Sequence, residues 1–223
     1  MEYSGKNILV VGASGVFGAT LTERFAAQGA RVLGTATNAE SATRIPAAAG
    51  LRLLLDLESD ESIKVLSDYL AASEKLDGVV LASGRVGFGT TETTTAAQTR
   101  RLMQINFLGL ANLLTNLKPA LNNGSFIAAI TGIVAEKSFP GMAAYCASKA
   151  ALSAWLSAAH SEFKKLGVAT VELRPGHTET GLAGRPLFGT APQFPAGMTP
   201  EHVVDRIMVA IEAKTPVVSS LEF

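Results

Sequence analysis

Tyr145 and Lys149 stand four residues apart in ITGIVAEKSFPGMAAYCASK, residues 130–149. On a helix that spacing places both on one face. An ammonium beside a phenol stabilises phenolate and draws the tyrosine pKa toward neutral pH, so the pair can move a proton in carbonyl and alcohol chemistry. The start of the same stretch carries Gly132, where a hydroxyl would be wanted to hold a substrate carbonyl. Cys146 adjoins Tyr145 but points about 100° away around a helix, which makes it a packing residue.

A second constellation lies near the beginning. ILVVGASGVFG is an apolar run followed by Gly12, Gly15 and Gly18. Glycine permits a tight turn and close approach of a pyrophosphate, and the helix that follows offers free N–H groups and a positive dipole end. A strand before the turn and an amphipathic helix after it are the context a dinucleotide site requires. Cofactor choice is read at the end of the next strand, where a carboxylate suits the ribose diol of NAD and a basic residue the 2′-phosphate of NADP. Here Ala36 and Thr37 occupy that place. Thr35, Thr37 and Asn38, with Arg44 as charge partner, could meet a phosphate, and the reading leans to NADP with NAD possible. Asp56 either accepts from an adenine amino group or caps a turn. Ser83 and Gly84 end a further apolar run where a cofactor can pass close to the backbone.

These residues need elements to carry them. Buried strands are expected at 7–11, 31–36, 51–56, 78–82, 125–131, 168–174 and 216–220, and helices at 16–28, 59–72, 94–117, 142–165 and 200–213. Continuous apolar strands alternating with helices imply a parallel sheet covered on both faces. The expected fold is therefore an α/β, Rossmann-like, doubly wound parallel sheet of about seven strands. Nothing marks a linker or repeat, so residues 1–223 are expected to form a single domain. The Gly- and Pro-rich stretch at about 176–198 is the least regular, and a loop that long is usually functional. Its Leu182, Leu187, Phe188 and Phe194 suit a lid over a mostly apolar substrate, with Arg185 available to a substrate acid.

The totals narrow the function classes. Nineteen Lys+Arg against nineteen Asp+Glu give no net charge, which speaks against nucleic acid or an acidic membrane as partner. One cysteine excludes an intrachain disulfide and a multi-cysteine metal site. The three histidines, His160, His177 and His202, are too scattered for a metal site. His177 could donate a proton or anchor substrate near neutral pH, although a solvated loop histidine is the plainer reading. No apolar stretch approaches the roughly 20 residues of a membrane span, and a soluble, cytoplasmic protein is expected.

VGASGVFG, NFLG at Asn106, PGMAAYCASKAAL around Tyr145 and RPGHTET from Arg174 together resemble the short-chain dehydrogenase/reductase superfamily, in order and over essentially the whole chain. The resemblance implies hydride transfer between a nicotinamide cofactor and a carbonyl or alcohol. It implies Tyr145 as acid/base, Lys149 on the nicotinamide ribose, and Asn106 holding a relay water. The cofactor set it implies is Gly12, Ser14, Gly15, Val16, Phe17, Gly18, Thr37, Asn38, Asp56, Leu57, Ser83, Gly84, Tyr145, Lys149, Pro175, Gly176, Thr178 and Thr180. It also implies a homodimer or homotetramer through two long helices, which here carry Phe107, Leu110, Leu113 and Trp155.

The chain departs from the family pattern at three places. Val16 stands where the family has its second glycine, and Leu81-Ala82-Ser83-Gly84 replaces Asn-Asn-Ala-Gly. Gly132 replaces the catalytic serine. Thr131 substitutes for it only if the strand end twists or bulges, since neighbouring strand residues face opposite ways. Ser138 and Thr178 are alternatives from loops. A lost oxyanion-type donor typically costs ~10²–10³ in rate, so an easily reduced acceptor would need the serine less. The leading expectation is an oxidoreductase acting on a small, mostly apolar carbonyl or alcohol. The alternatives are a cofactor-binding regulator or sensor with little turnover, and a lyase or isomerase using Tyr145 for proton transfer.

Overall fold

The computed structural model describes residues 3–73 and 75–223. Seven strands form one parallel sheet in the order β3-β2-β1-β4-β5-β6-β7: β1 Asn7–Val11, β2 Arg31–Ala36, β3 Leu51–Leu54, β4 Leu76–Leu81, β5 Leu121–Ile130, β6 Ala169–Leu173 and β7 Val217–Val218. The apolar runs of β1, β2, β4, β5 and β6 are largely buried on both faces, as all-parallel pairing demands, while the edge strands β3 and β7 are partly exposed. The chain reverses its direction of travel across the sheet between β1 and β4, so the crevice beyond their C-terminal ends is the place for a ligand.

Two apolar layers hold the helices. One face of the sheet packs α3 (Asp60–Ser73), α5 (Gly109–Leu117) and α6 (Ala143–Lys165); the other packs α1 (Val16–Ala27) and α7 (Pro200–Ala213). The long helix expected at 94–117 is broken into α4 (Ala96–Met103), a π-helical turn at Gln104–Leu108 and α5. Such wide turns commonly mark functional positions, and Asn106 lies inside this one, fully buried. A short α2 (Ala39–Ala42), which sequence periodicity missed, is held by a capping box between Asn38 and Ser41. Strand β5 starts four residues earlier than expected, and β7 is only two residues long. Leu110 and Leu113, expected at a subunit interface, are fully buried in the core beside α3 instead. No helix among the described residues is long and apolar enough to cross a membrane, and no group of His, Cys, Asp and Glu among them could hold a metal ion.

Candidate active site

The glycine turn is built as a cradle. Gly12 adopts φ +85° and a Cβ there would meet Ser83 Cα at 2.9 Å, while a Cβ on Gly18 would reach Gly12 O at 2.2 Å. Both positions therefore need glycine. The peptide N–H of Gly12 donates to Thr35 Oγ1 at 3.1 Å, fixing the turn to β2. Helix α1 starts after Gly15 with no side-chain cap, so its first N–H groups have no protein acceptor of that kind, as at an anion site. Val16, at the family's second glycine position, is 37% exposed. These features fit a dinucleotide pyrophosphate.

The expected adenine-side residues divide. Thr37 and Asn38 are exposed beyond β2, but the Asn38 side chain accepts from Ser41 N at 2.9 Å and Thr35 is spent on the turn. Asp56 Oδ1 accepts from Glu58 N at 2.9 Å, which makes it a turn cap. The Leu57 side chain is in the core and its carbonyl accepts from Gln104 Nε2 at 3.0 Å, which leaves its peptide N–H as the group it could offer a cofactor. Ser83 backs the glycine turn.

Around the proton-moving pair the structure brings four segments together. A Cβ on Gly84 would lie 3.1 Å from Lys149 Nζ and 3.5 Å from Asn106 Oδ1. Asn106 Oδ1 accepts from Arg85 N at 2.8 Å, and its Nδ2 donates to Arg85 O at 2.8 Å and Ser148 Oγ at 2.9 Å. Both amide protons are thereby used, so its side chain pins the segment after β4 to α6 rather than donating to a water. Ser148, overlooked in the sequence, closes this link by donating to Tyr145 O at 2.7 Å. A buried serine three residues after a helical tyrosine carries no distinguishing pattern, which is why only the fold reveals it.

Lys149 Nζ donates to Ile130 O at 2.9 Å, and burial pulls its pKa down to about 8. Tyr145 is 9% exposed, and its hydroxyl has no hydrogen-bond partner among the described residues. Burial, and secondarily Cys146, pushes its pKa above the ordinary phenol value. The direction is opposite to the one expected: the lysine is bonded to a carbonyl, and desolvation governs the phenol.

Two candidates for the missing hydroxyl fall away. Thr131 Oγ1 donates to Glu172 Oε1 at 2.7 Å in a buried setting, which overturns its expected catalytic role. Thr178 Oγ1 donates to Gly176 O at 3.1 Å. Ser138 is exposed and lines a cleft of about 470 Å³ with Cys146, Ala147 and Ala150. Gly132 itself has φ +85°, with its N–H on Leu173 O. The carboxylate that takes Thr131 is held by Arg174, whose Nε and Nη2 reach Glu172 at 2.9 Å each. Burial pushes the Glu172 pKa up, but the Arg174 and Thr131 hydrogen bonds outweigh it and hold the carboxyl below its ordinary value. Arg174 continues to Ser153 and Glu136, and Glu136 to Ser220. The expected nicotinamide-end residues follow this clamp: Pro175 O accepts from Ile133 N, and Thr180 Oγ1 from Leu182 N at 3.4 Å.

Over the site lies the lid. Leu182, Leu187, Phe188 and Phe194 pack with Val86, Phe88, Met142 and Tyr145, and Leu187 N and Phe88 N exchange backbone bonds across the seam with Val86 O and Phe188 O. A cleft of about 230 Å³ opens there between Phe88, Pro140, Met142 and Pro192. His177 is neither free nor over the site: it stacks on Phe194 with centroids 4.7 Å apart and lies 3.5 Å from Glu179. His160 meets Thr170, as a packing residue would.

The family model of the short chain dehydrogenases matches residues 6–186. The chain belongs to the short-chain dehydrogenase family. It is an oxidoreductase of that type. It is similar to an uncharacterized oxidoreductase, YbbO, of Escherichia coli, 28% identical over 95% of this chain and 83% of that one. The 2,3-dihydro-2,3-dihydroxybenzoate dehydrogenase of E. coli is 29% identical over 82% of this chain and 73% of the relative. Two solved family structures share the fold. One from Burkholderia cenocepacia, in complex with NADP, has a TM-score of 0.85 at 23% identity, covering 98% and 89% of the two chains. One from Burkholderia phymatum, in complex with NAD, has a TM-score of 0.86 at 19% identity, covering 99% and 90%.

Proposed function

We infer that the protein transfers a hydride between a nicotinamide cofactor, NADP in preference to NAD, and a small, mostly apolar carbonyl or alcohol, with Tyr145 as the acid/base. The observation that carries this is the convergence of Tyr145, Lys149 and Gly84 behind a glycine cradle at the strand-order reversal. The cofactor supplies the hydride when bound. Gly12, Gly15 and Gly18, with the uncapped start of α1, hold its pyrophosphate, and Gly84 leaves it room beside Lys149. The lean to NADP rests on the lack of any carboxylate at Ala36, Thr37 and Asn38, since a carboxylate is what reads the ribose diol.

Tyr145 Oη, kept protonated by burial, gives its proton to the oxygen of the product alkoxide. Lys149 supports the phenolate left behind once it turns from Ile130 O, and the lid residues exclude water from the step. With the Thr131 and Thr178 hydroxyls engaged elsewhere, Tyr145 is the hydroxyl that serves the carbonyl, which suits an acceptor already activated toward hydride. Phe107 and Trp155, half-buried against the core, leave part of a helix face for a homo-oligomer.

The reading is tested by NADPH consumption over a panel of ketones, aldehydes and quinones with the native chain and Tyr145→Phe. Turnover that the phenylalanine variant loses by ~10²–10⁴-fold, the range of general acid catalysis, supports it. No turnover on any acceptor, while NADPH still binds, would instead favour the regulator or sensor, the alternative that Gly132 motivates.

A further inference from the structure

The seam between lid and site carries charge that the protein does not balance. Arg85 directly follows Gly84, and its peptide N–H and C=O are both bonded to Asn106. Its place beside Lys149 is therefore fixed. Arg185 stands on the lid between Leu182 and Leu187, which pack into the Tyr145 cluster. Arg85 Nη2 donates to Arg185 O at 3.5 Å, and Arg185 Nε and Nη2 donate to Gly181 O and Thr180 O at 3.2 Å each. Neither guanidinium forms an ion pair with any carboxylate among the described residues. The neighbouring Arg101 shows the contrast, held at 2.9 and 3.1 Å by both oxygens of Glu58.

Backbone carbonyls position a guanidinium without neutralising it. Burial above all, then the charges of Arg101 and Arg185, push Arg85 below its ordinary pKa against an opposing pull from Glu58. The strand-like bonds at Leu187 and Phe88 hold the two exposed arginines together across the seam, and like charges held so repel unless an anion lies between them. Each guanidinium keeps N–H donors that these carbonyls do not use. Two planar forks of this kind match a carboxylate, which can accept from both.

We propose that Arg85 and Arg185 together bind a carboxylate on the substrate, making this an oxidoreductase for small oxo or hydroxy acids whose anion draws the lid closed. The reacting carbon lies at Tyr145 and the carboxylate at the seam; the former rests on the hydride-transfer reading above, the latter on the arginines alone. A phosphate of the cofactor is the other source of the same anionic chemistry.

The test compares 3-oxocyclohexanecarboxylate with 3-methylcyclohexanone as acceptors, and measures binding of unreactive cyclohexanecarboxylate to the NADPH-loaded protein by calorimetry. The native protein should favour the acid by ~10–100-fold in kcat/KM, the worth of hydrogen bonds to a charged group. Arg85→Gln and Arg185→Gln should each move that ratio toward one and weaken cyclohexanecarboxylate in step. A ratio near one in the native protein overturns the proposal. So does a rise of about tenfold or more in the Kd of NADPH in the glutamine variants with the acid preference intact, which would assign the arginines to the cofactor. If neither acceptor turns over but cyclohexanecarboxylate binds in an arginine-dependent way, the hydride-transfer reading fails and the carboxylate site stands.

Discussion

Replacing Lys149 by methionine should alter how stability depends on pH, by an amount the structure sets. The ammonium is buried, 5% exposed, with one hydrogen bond to Ile130 O. Its pKa falls from 10.5 to about 8 because burial disfavours the charged form. At ~1.4 kcal/mol per pH unit, that fall is worth ~3 kcal/mol. Between pH 8 and 10.5 the unfolded chain binds a proton at this lysine that the folded chain has released, so stability rises with pH there. Below pH 8 the full cost of the buried charge is present. Lys149→Met has no such group, and all other titrations cancel in the difference between the two proteins. Urea midpoints of cofactor-free protein from pH 7 to 10.5 should therefore show wild type gaining ~3 kcal/mol on the variant. A difference that stays constant within ~0.5 kcal/mol over that window would refute the buried-ammonium argument.

Other substitutions separate structural from chemical roles. Thr131→Val removes the hydroxyl donor of Glu172, which keeps Arg174, and should cost ~1.5–3 kcal/mol in urea unfolding, the worth of a hydrogen bond to a charged group, with a rate loss far smaller than that of Tyr145→Phe. Gly132→Ser has space for a Cβ, 3.6 Å from Pro175 O, but φ +85° penalises any side chain; a stability loss of ~1–2 kcal/mol is expected from the left-handed backbone, visible as a lower Tm. Gly18→Ala must open the glycine turn, because its Cβ would lie 2.2 Å from Gly12 O, and NADPH affinity measured by fluorescence should fall by about tenfold or more.

The sheet was legible because each strand is an apolar run closed by glycine or polar residues, and because Gly12 and Gly18 can only serve a tight turn. Tyr145, Lys149 and Gly84 were legible for the same reason, since residue type and position after a strand constrain them together. What stayed hidden depends on partners distant in the chain. Thr131 is adjacent to Gly132, and only the pairing of β5 with β6 shows that Glu172 accepts its hydrogen bond. The Tyr145 phenol was misread because i, i+4 spacing gives a shared face but not where the Lys149 amine points. Leu110 and Leu113 read equally well as core or interface until α5 is seen against α3. The Arg85–Arg185 seam joins residues a hundred positions apart, beyond any local pattern.

The most direct test of hydride transfer with Tyr145 as the acid is deuterium tracing from NADPH dideuterated at C4 to an acceptor that the native protein reduces. The account predicts one deuterium on the carbinol carbon of the product in the native protein. In Tyr145→Phe, the single-turnover rate should fall by ~10²–10⁴-fold while NADPH binding is retained. Product without deuterium, or labelled product formed equally fast by Tyr145→Phe, would contradict it.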